Sequence, residues 1–142
     1  ALDKEGKPAW PVPFLAKGWI WSRPLYHQGM VYFGDLEGEF YALEARTGEQ
    51  RWRRSLEGAV RASPALSGEN LLVATTAGWV YGLSREDGKL LWRFPVSGQT
   101  PGEVTADLIV SEATVYVVYD EGAVYALETG SGRVQWSFPV SK

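Results

Sequence analysis

The chain has no cysteine, one methionine, a single histidine (His27) and a single asparagine (Asn70). Without cysteine there is no disulfide framework and no thiolate-bound zinc or iron–sulfur centre, and either redox compartment is tolerated. His27 has no second imidazole with which to share a metal or relay a proton, so it reads as an A–B turn residue. No apolar run approaches the ~18 residues of a membrane-spanning helix. No segment of useful length repeats its apolar residues at the helical period. Positive charge is scarce, with 14 Lys and Arg against 17 Asp and Glu; that argues against a nucleic-acid face. No secretory leader is visible within these 142 residues, and they contain no Gly-x-Ser-x-Gly elbow, Walker-type loop or carboxylate pair at helical spacing. The chain opens on Ala1 rather than Met, which suggests upstream processing or cutting.

Glycine, aromatic and β-branched residues dominate what is present. A glycine followed four residues later by tryptophan recurs as Gly6–Trp10, Gly48–Trp52, Gly88–Trp92 and Gly132–Trp136. The tryptophans lie 42, 40 and 44 residues apart, the period of a four-stranded propeller blade (about 40–50 residues). From Gly18, Gly58 and Gly102 the next 34 residues align without a gap, ending at Trp52, Trp92 and Trp136. Gly38, Gly78 and Gly122 coincide on the way, as do Phe40–Leu43, Val80–Leu83 and Val124–Leu127. Length varies only between each tryptophan and the next glycine. A constant body with one variable connector marks a tandem array.

Each body reads as four short strands, A to D, separated by turn signals such as Ser67-Gly68, Ala77-Gly78 and Asp87-Gly88. In the second copy the strands are expected at about 59–66, 71–76, 79–84 and 90–95. Strands B and C are apolar on both faces, as required of a small sheet sandwiched between two neighbours. The expected fold is therefore all-β: propeller blades of four antiparallel strands, about three complete blades plus one strand of another. The expected boundaries are 1–17 (the tail of a strand C, a strand D and a connector), then blades at 18–57, 58–101 and 102–142. Because Ala1-Leu2-Asp3 matches Ala42-Leu43-Glu44, the chain is expected to be a piece of a larger propeller, of ~280–340 residues for seven or eight blades.

The stretch Ala42-Leu43-Glu44-Ala45-Arg46-Thr47-Gly48-Glu49-Gln50-Arg51-Trp52 resembles the tryptophan-docking repeat of the PQQ-like (quinoprotein-type) β-propellers. The third copy keeps Ala126, Glu128, Gly132 and Trp136, with Ser131 in place of threonine. The second keeps Gly88 and Trp92 and departs at Gly82, Ser84 and Asp87. The resemblance covers nearly the whole chain. It implies that Trp10, Trp52, Trp92 and Trp136, with Gly48, Gly88 and Gly132, lock neighbouring blades together. It also leans toward an extracytoplasmic location. Family members include quinoprotein dehydrogenases, a non-catalytic lipoprotein that assists outer-membrane β-barrel assembly, and sensor domains of kinases. Fold alone does not choose among these.

The residues themselves carry no catalytic constellation. A quinoprotein site would need a general base and calcium ligands; Asp35, Glu37 and Glu39 in one hairpin and Asp120 and Glu121 in another offer carboxylates. Such acids read more simply as solvated turn residues that terminate strands. Arg51, Arg53, Arg54 and Arg61 read as a solvated outer strand, with anion binding the alternative. No cofactor or metal is expected.

Three tryptophans are not required by the repeat. Trp19 is replaced by Ala59 and Glu103 in the other copies, Trp21 by Arg61 and Thr105, and Trp79 by Glu39 and Ala123. In an up-and-down blade the D–A connectors and B–C hairpins share one end, and all three tryptophans belong to it. They form a candidate interaction face, since tryptophan is enriched at interfaces and loops on rigid scaffolds carry function; the alternative is that they fill gaps between blades. The expected function is a non-catalytic scaffold for a protein or ligand, with alternatives of a dehydrogenase fragment or an extracytoplasmic sensor. Its expected partners are another protein, the remaining propeller blades or a second copy meeting an open blade face.

Overall fold

The computed structural model describes residues 14–138. Trp10 and the expected truncated strand C at residues 1–3 lie outside them. Twelve strands form three four-stranded antiparallel sheets, each with its strands in chain order. The first sheet holds β1 (Leu25–His27), β2 (Met30–Gly34), β3 (Glu39–Glu44) and β4 (Gln50–Ser55). The second holds β5 (Ala65–Ser67), β6 (Asn70–Ala74), β7 (Val80–Ser84) and β8 (Leu90–Phe94). The third holds β9 (Ile109–Ser111), β10 (Thr114–Val118), β11 (Val124–Glu128) and β12 (Val134–Phe138). No helix occurs among the described residues. The architecture is an all-β partial propeller.

The strands alternate between two cores because successive side chains point to opposite faces of a sheet. In β6, Leu71 and Val73 join Tyr32, Phe40 and Trp52 of the first sheet; Leu72 and Ala74 join Val115, Val117 and Tyr119 of the third. The double-sided apolar strands thus bury one face against each neighbour. Phe33, Tyr41 and Leu43 form a third cluster with Phe14 and Ala16. The outer strand β12 is exposed along its length.

Strand A is much shorter than expected. In the second sheet it covers Ala65–Ser67 only, because the backbone before it is engaged elsewhere. Val60 donates its N–H to the Asp35 carbonyl in the first blade (3.0 Å), while the Ala59 carbonyl accepts from Thr76 (2.8 Å). The Ser63 N–H donates to Asp107 Oδ1 in the third blade (2.9 Å), and Pro64 has no N–H to give. Residues 59–64 therefore stitch three blades together instead of pairing along one strand.

A register shift recurs in each sheet where β3, β7 and β11 pair with the outer strand, between Ala42 and Leu43, Gly82 and Leu83, and Ala126 and Leu127. In each case the residue left without an opposite number (Arg51, Leu91 or Gln135) immediately precedes the motif tryptophan. A bulge re-aims the neighbouring side chain, here toward the next blade.

Candidate functional site

Two of the motif tryptophans, Trp52 and Trp92, act between blades. Trp52 and Trp92 are each 8% exposed. The Trp52 indole N–H donates to the Arg85 carbonyl (3.1 Å) and that of Trp92 to the Thr129 carbonyl (2.8 Å), both in the following blade. Trp136 is 49% exposed.

Trp19 is 77% and Trp21 60% exposed. Both precede β1, on the connector rather than within a strand. A flanked blade shows what this exposure means. Arg61, equivalent to Trp21, is exposed although sheets lie on both sides of it, whereas Val60, equivalent to Ile20, is fully buried. The Trp21 position is thus exposed in a flanked blade too, whereas Thr105, its counterpart in the third blade, and Ala59, the counterpart of Trp19 in the flanked blade, are half-buried. The 44% exposure of Ile20 instead marks the side of a blade on which a preceding neighbour packs.

The three extra tryptophans are not brought into ring contact with one another. Trp21 lies under the Arg61 guanidinium, 4.7 Å from its carbon to the ring centroid. Trp79 lies under Arg93 at 3.9 Å, half-buried against the core between the first and second blades. The exposed aromatic surface consists of Trp19 and Trp21; Trp79 closes a junction on one side and stacks on its own outer strand on the other.

Sequence reasoning mistook the environment of the acids beside this surface. Asp35 and Glu39 are buried, not solvated. Asp35 Oδ1 accepts the N–H groups of Glu37 and Glu39, and Oδ2 accepts the Gly18 N–H and the Tyr41 hydroxyl, at 2.8–2.9 Å. Four donors satisfy a carboxylate that burial would otherwise destabilise. The Tyr41 hydroxyl also accepts the Lys17 N–H (2.8 Å), and Leu36 N–H donates to the Trp19 carbonyl (2.7 Å). Burial holds the Tyr41 pKa above its usual value, an effect the Lys17 N–H partly offsets. Residues 17–19 are consequently pinned to the β2–β3 hairpin. The other blades have Thr75 and Tyr119 in place of Asp35. The available signal was the pairing of Asp35 with Tyr41, which the other copies do not repeat.

Glu39 receives Arg53 (3.0 Å) and the Ser55 hydroxyl (2.5 Å). Arg51 pairs with Glu44 at 2.8 Å, and that contact lowers the Glu44 pKa and raises that of Arg51. The outer-strand arginines are thus largely ion-paired. Glu37, Asp120 and Glu121 are exposed, and His27 ends β1, half-buried. Among the described residues no group of three or more metal-ligating side chains converges.

A cavity of about 400 Å³ opens at the opposite end, between the first two blades, lined by Met30, Tyr32, Glu44, Arg46, Arg51, Arg85 and Glu86, with Gln28 and Gly29. Tyr32 lies beside the Arg85 guanidinium and raises its pKa. The geometry nevertheless falls short of a hydrogen bond, leaving Tyr32 Oη and Arg85 Nε buried without partners. At the next junction Asn70 Nδ2 donates to the Thr129 carbonyl (3.0 Å); Met30, its counterpart, has no donor.

Trp52 and Trp92, each docked against the following blade, take the arrangement that the repeat resemblance implies. The family model described as outer membrane protein assembly factor BamB matches residues 1–142. The chain belongs to that family. It is 29% identical over 102 residues to BamB of Burkholderia pseudomallei (strain K96243), covering 68% of this chain and 26% of that protein. It is 28% identical over 120 residues to a polyvinylalcohol dehydrogenase of Sphingopyxis sp. (strain 113P3), covering 74% of this chain and 18% of that protein. The solved structure of BamB from Moraxella catarrhalis superposes with a TM-score of 0.76 at 27% identity, covering 89% of this chain and 39% of that one. The chain thus spans about a quarter or less of the curated relatives' length.

Proposed function

We propose that this member of the BamB family is a non-catalytic propeller segment that serves as a protein-interaction scaffold, with Trp19 and Trp21 as its contact surface. The observation that carries this is the exposure of two large indoles on a connector whose Lys17 and Gly18 N–H groups and Trp19 carbonyl are hydrogen-bonded to the adjoining hairpin. Exposed aromatics on a rigid frame lose little side-chain entropy on binding and anchor interfaces. The name of the Burkholderia pseudomallei relative, an outer membrane protein assembly factor, supports the same reading. The half-exposed face around Trp136 and Phe138 is a second surface open to association, with the remaining propeller blades or with a second copy.

The test compares capture of partner proteins by the wild-type chain and by a Trp19→Ser/Trp21→Ser double variant. A partner that binds the wild type and is lost from the variant supports the scaffold. A redox-active complex formed on mixing the chain with PQQ and calcium would instead establish the dehydrogenase alternative that the Sphingopyxis relative represents.

A further inference from the structure

The exposed tryptophans sit among unpaired cations. Lys17, Trp19, Trp21 and Arg23 alternate along the connector, all exposed, while Gly18 is half-buried and Ser22 buried. Arg61 joins them through its stack on Trp21. Among the described residues none of the three cations is ion-paired. Arg51, Arg53, Arg85 and Arg93, by contrast, each hold a glutamate. A guanidinium held over an indole face still has N–H donors free for a carboxylate.

We propose that Lys17–Arg23 together with Arg61 is a docking strip for an acidic segment of a partner protein that also carries apolar side chains. This rests on the interaction-face reading above. Charge complementarity along the repeat supports it. At the positions equivalent to Trp19 and Arg23, the third blade has Glu103 and Asp107, with Asp120 hydrogen-bonded to Thr105 beside them. Although the exposed Glu37 adjoins Gly18, the connector positions change from cationic in the first blade to acidic in the third. An acidic segment is attracted to the first blade and repelled from the third, which fixes its position as well as its affinity. The strip is also pre-ordered. The Lys17 and Gly18 N–H groups and the Trp19 carbonyl are held by the adjoining hairpin, and the Arg23 N–H donates to Ser63 Oγ (2.9 Å). Little ordering cost falls due on binding.

The experiment measures fluorescence anisotropy of labelled dodecapeptides of alternating Asp-Leu, Asn-Leu and Lys-Leu with the intact chain, at low and physiological salt. The Asp-Leu peptide is expected to bind at least ~5–10-fold more tightly than the others and to weaken as salt rises. Arg23→Glu and Arg61→Glu, both at exposed side chains, are each expected to weaken it about fivefold, with circular dichroism confirming an unchanged fold. If either variant unfolds, the wild-type salt dependence decides. Equal binding of the Asn-Leu peptide, or salt-independent binding of the Asp-Leu peptide, overturns the inference. A partner lost from the Trp19→Ser/Trp21→Ser variant despite such a result leaves the interaction face standing. Failure of that capture overturns both.

Discussion

Trp52 rests on Gly88. The motif writes glycine and tryptophan four residues apart, but the working contact runs from one copy to the next. Gly88 has φ +74°, and a β-carbon there would overlap the six-membered ring of Trp52 at Cε3. Gly132 receives Trp92 in the same way. The glycine thus serves both its own turn, which needs a positive φ, and the indole of the preceding blade.

Gly88→Ala is accordingly expected to destabilise the chain by roughly 2–4 kcal/mol, combining backbone strain with displacement of a buried indole. Gly68→Ala is the control: its φ is +59° but nothing lies within 4 Å of the added carbon, so it should cost only ~1 kcal/mol. Urea midpoints of the two variants check the difference.

The docking tryptophans are expected to differ in the same way. Trp92→Ala removes a nearly buried indole and its hydrogen bond and should cost ~3–5 kcal/mol. Trp136, half-exposed, should cost ~1–2 kcal/mol on truncation. Equal losses in denaturant titrations of the 142-residue chain would contradict the interblade role.

Asp35→Asn places an amide N–H₂ among N–H and O–H donors. A loss of ~2–3 kcal/mol is expected from the unsatisfied groups, together with faster hydrogen exchange at the Gly18 N–H. Unchanged exchange there would show that Asp35 does not order the connector.

The fold was legible because the repeat preserves register: three copies of glycine, aromatic and tryptophan signals defined the sheets and their two-sided burial. The length of strand A was not, because its backbone partners lie one blade away on either side and no local propensity encodes them. Asp35 was misread for a related reason. A carboxylate in a turn is normally solvated, and only the tertiary arrangement brings Tyr41 and the connector amides onto it. Comparing copies at equivalent positions singled out Trp19 and Trp21 but left open whether they are exposed or fill gaps between blades. The stacking of Trp79 on Arg93 was not legible, because it depends on the pairing of β7 with β8.

Alkaline pH should unfold the chain in a way traceable to Tyr119. Its hydroxyl donates to the Gly78 carbonyl (2.9 Å), and burial raises its pKa from the ordinary value of 10.0. The folded state therefore holds the proton more tightly than the unfolded state. This stabilisation is complete below pH ~10 and is lost as pH rises beyond it. Tyr119→Phe is expected to lower stability at pH 7 and to flatten its decline above pH ~10, measured by urea titration across that range.

The interaction face is tested most directly by site-specific photo-crosslinking, with a benzophenone side chain at position 21 and, as control, at Leu91 on the outer strand, which is also exposed. The account predicts a discrete protein adduct at position 21 that is absent at position 91. No adduct at position 21, or the same adduct from both, would contradict it.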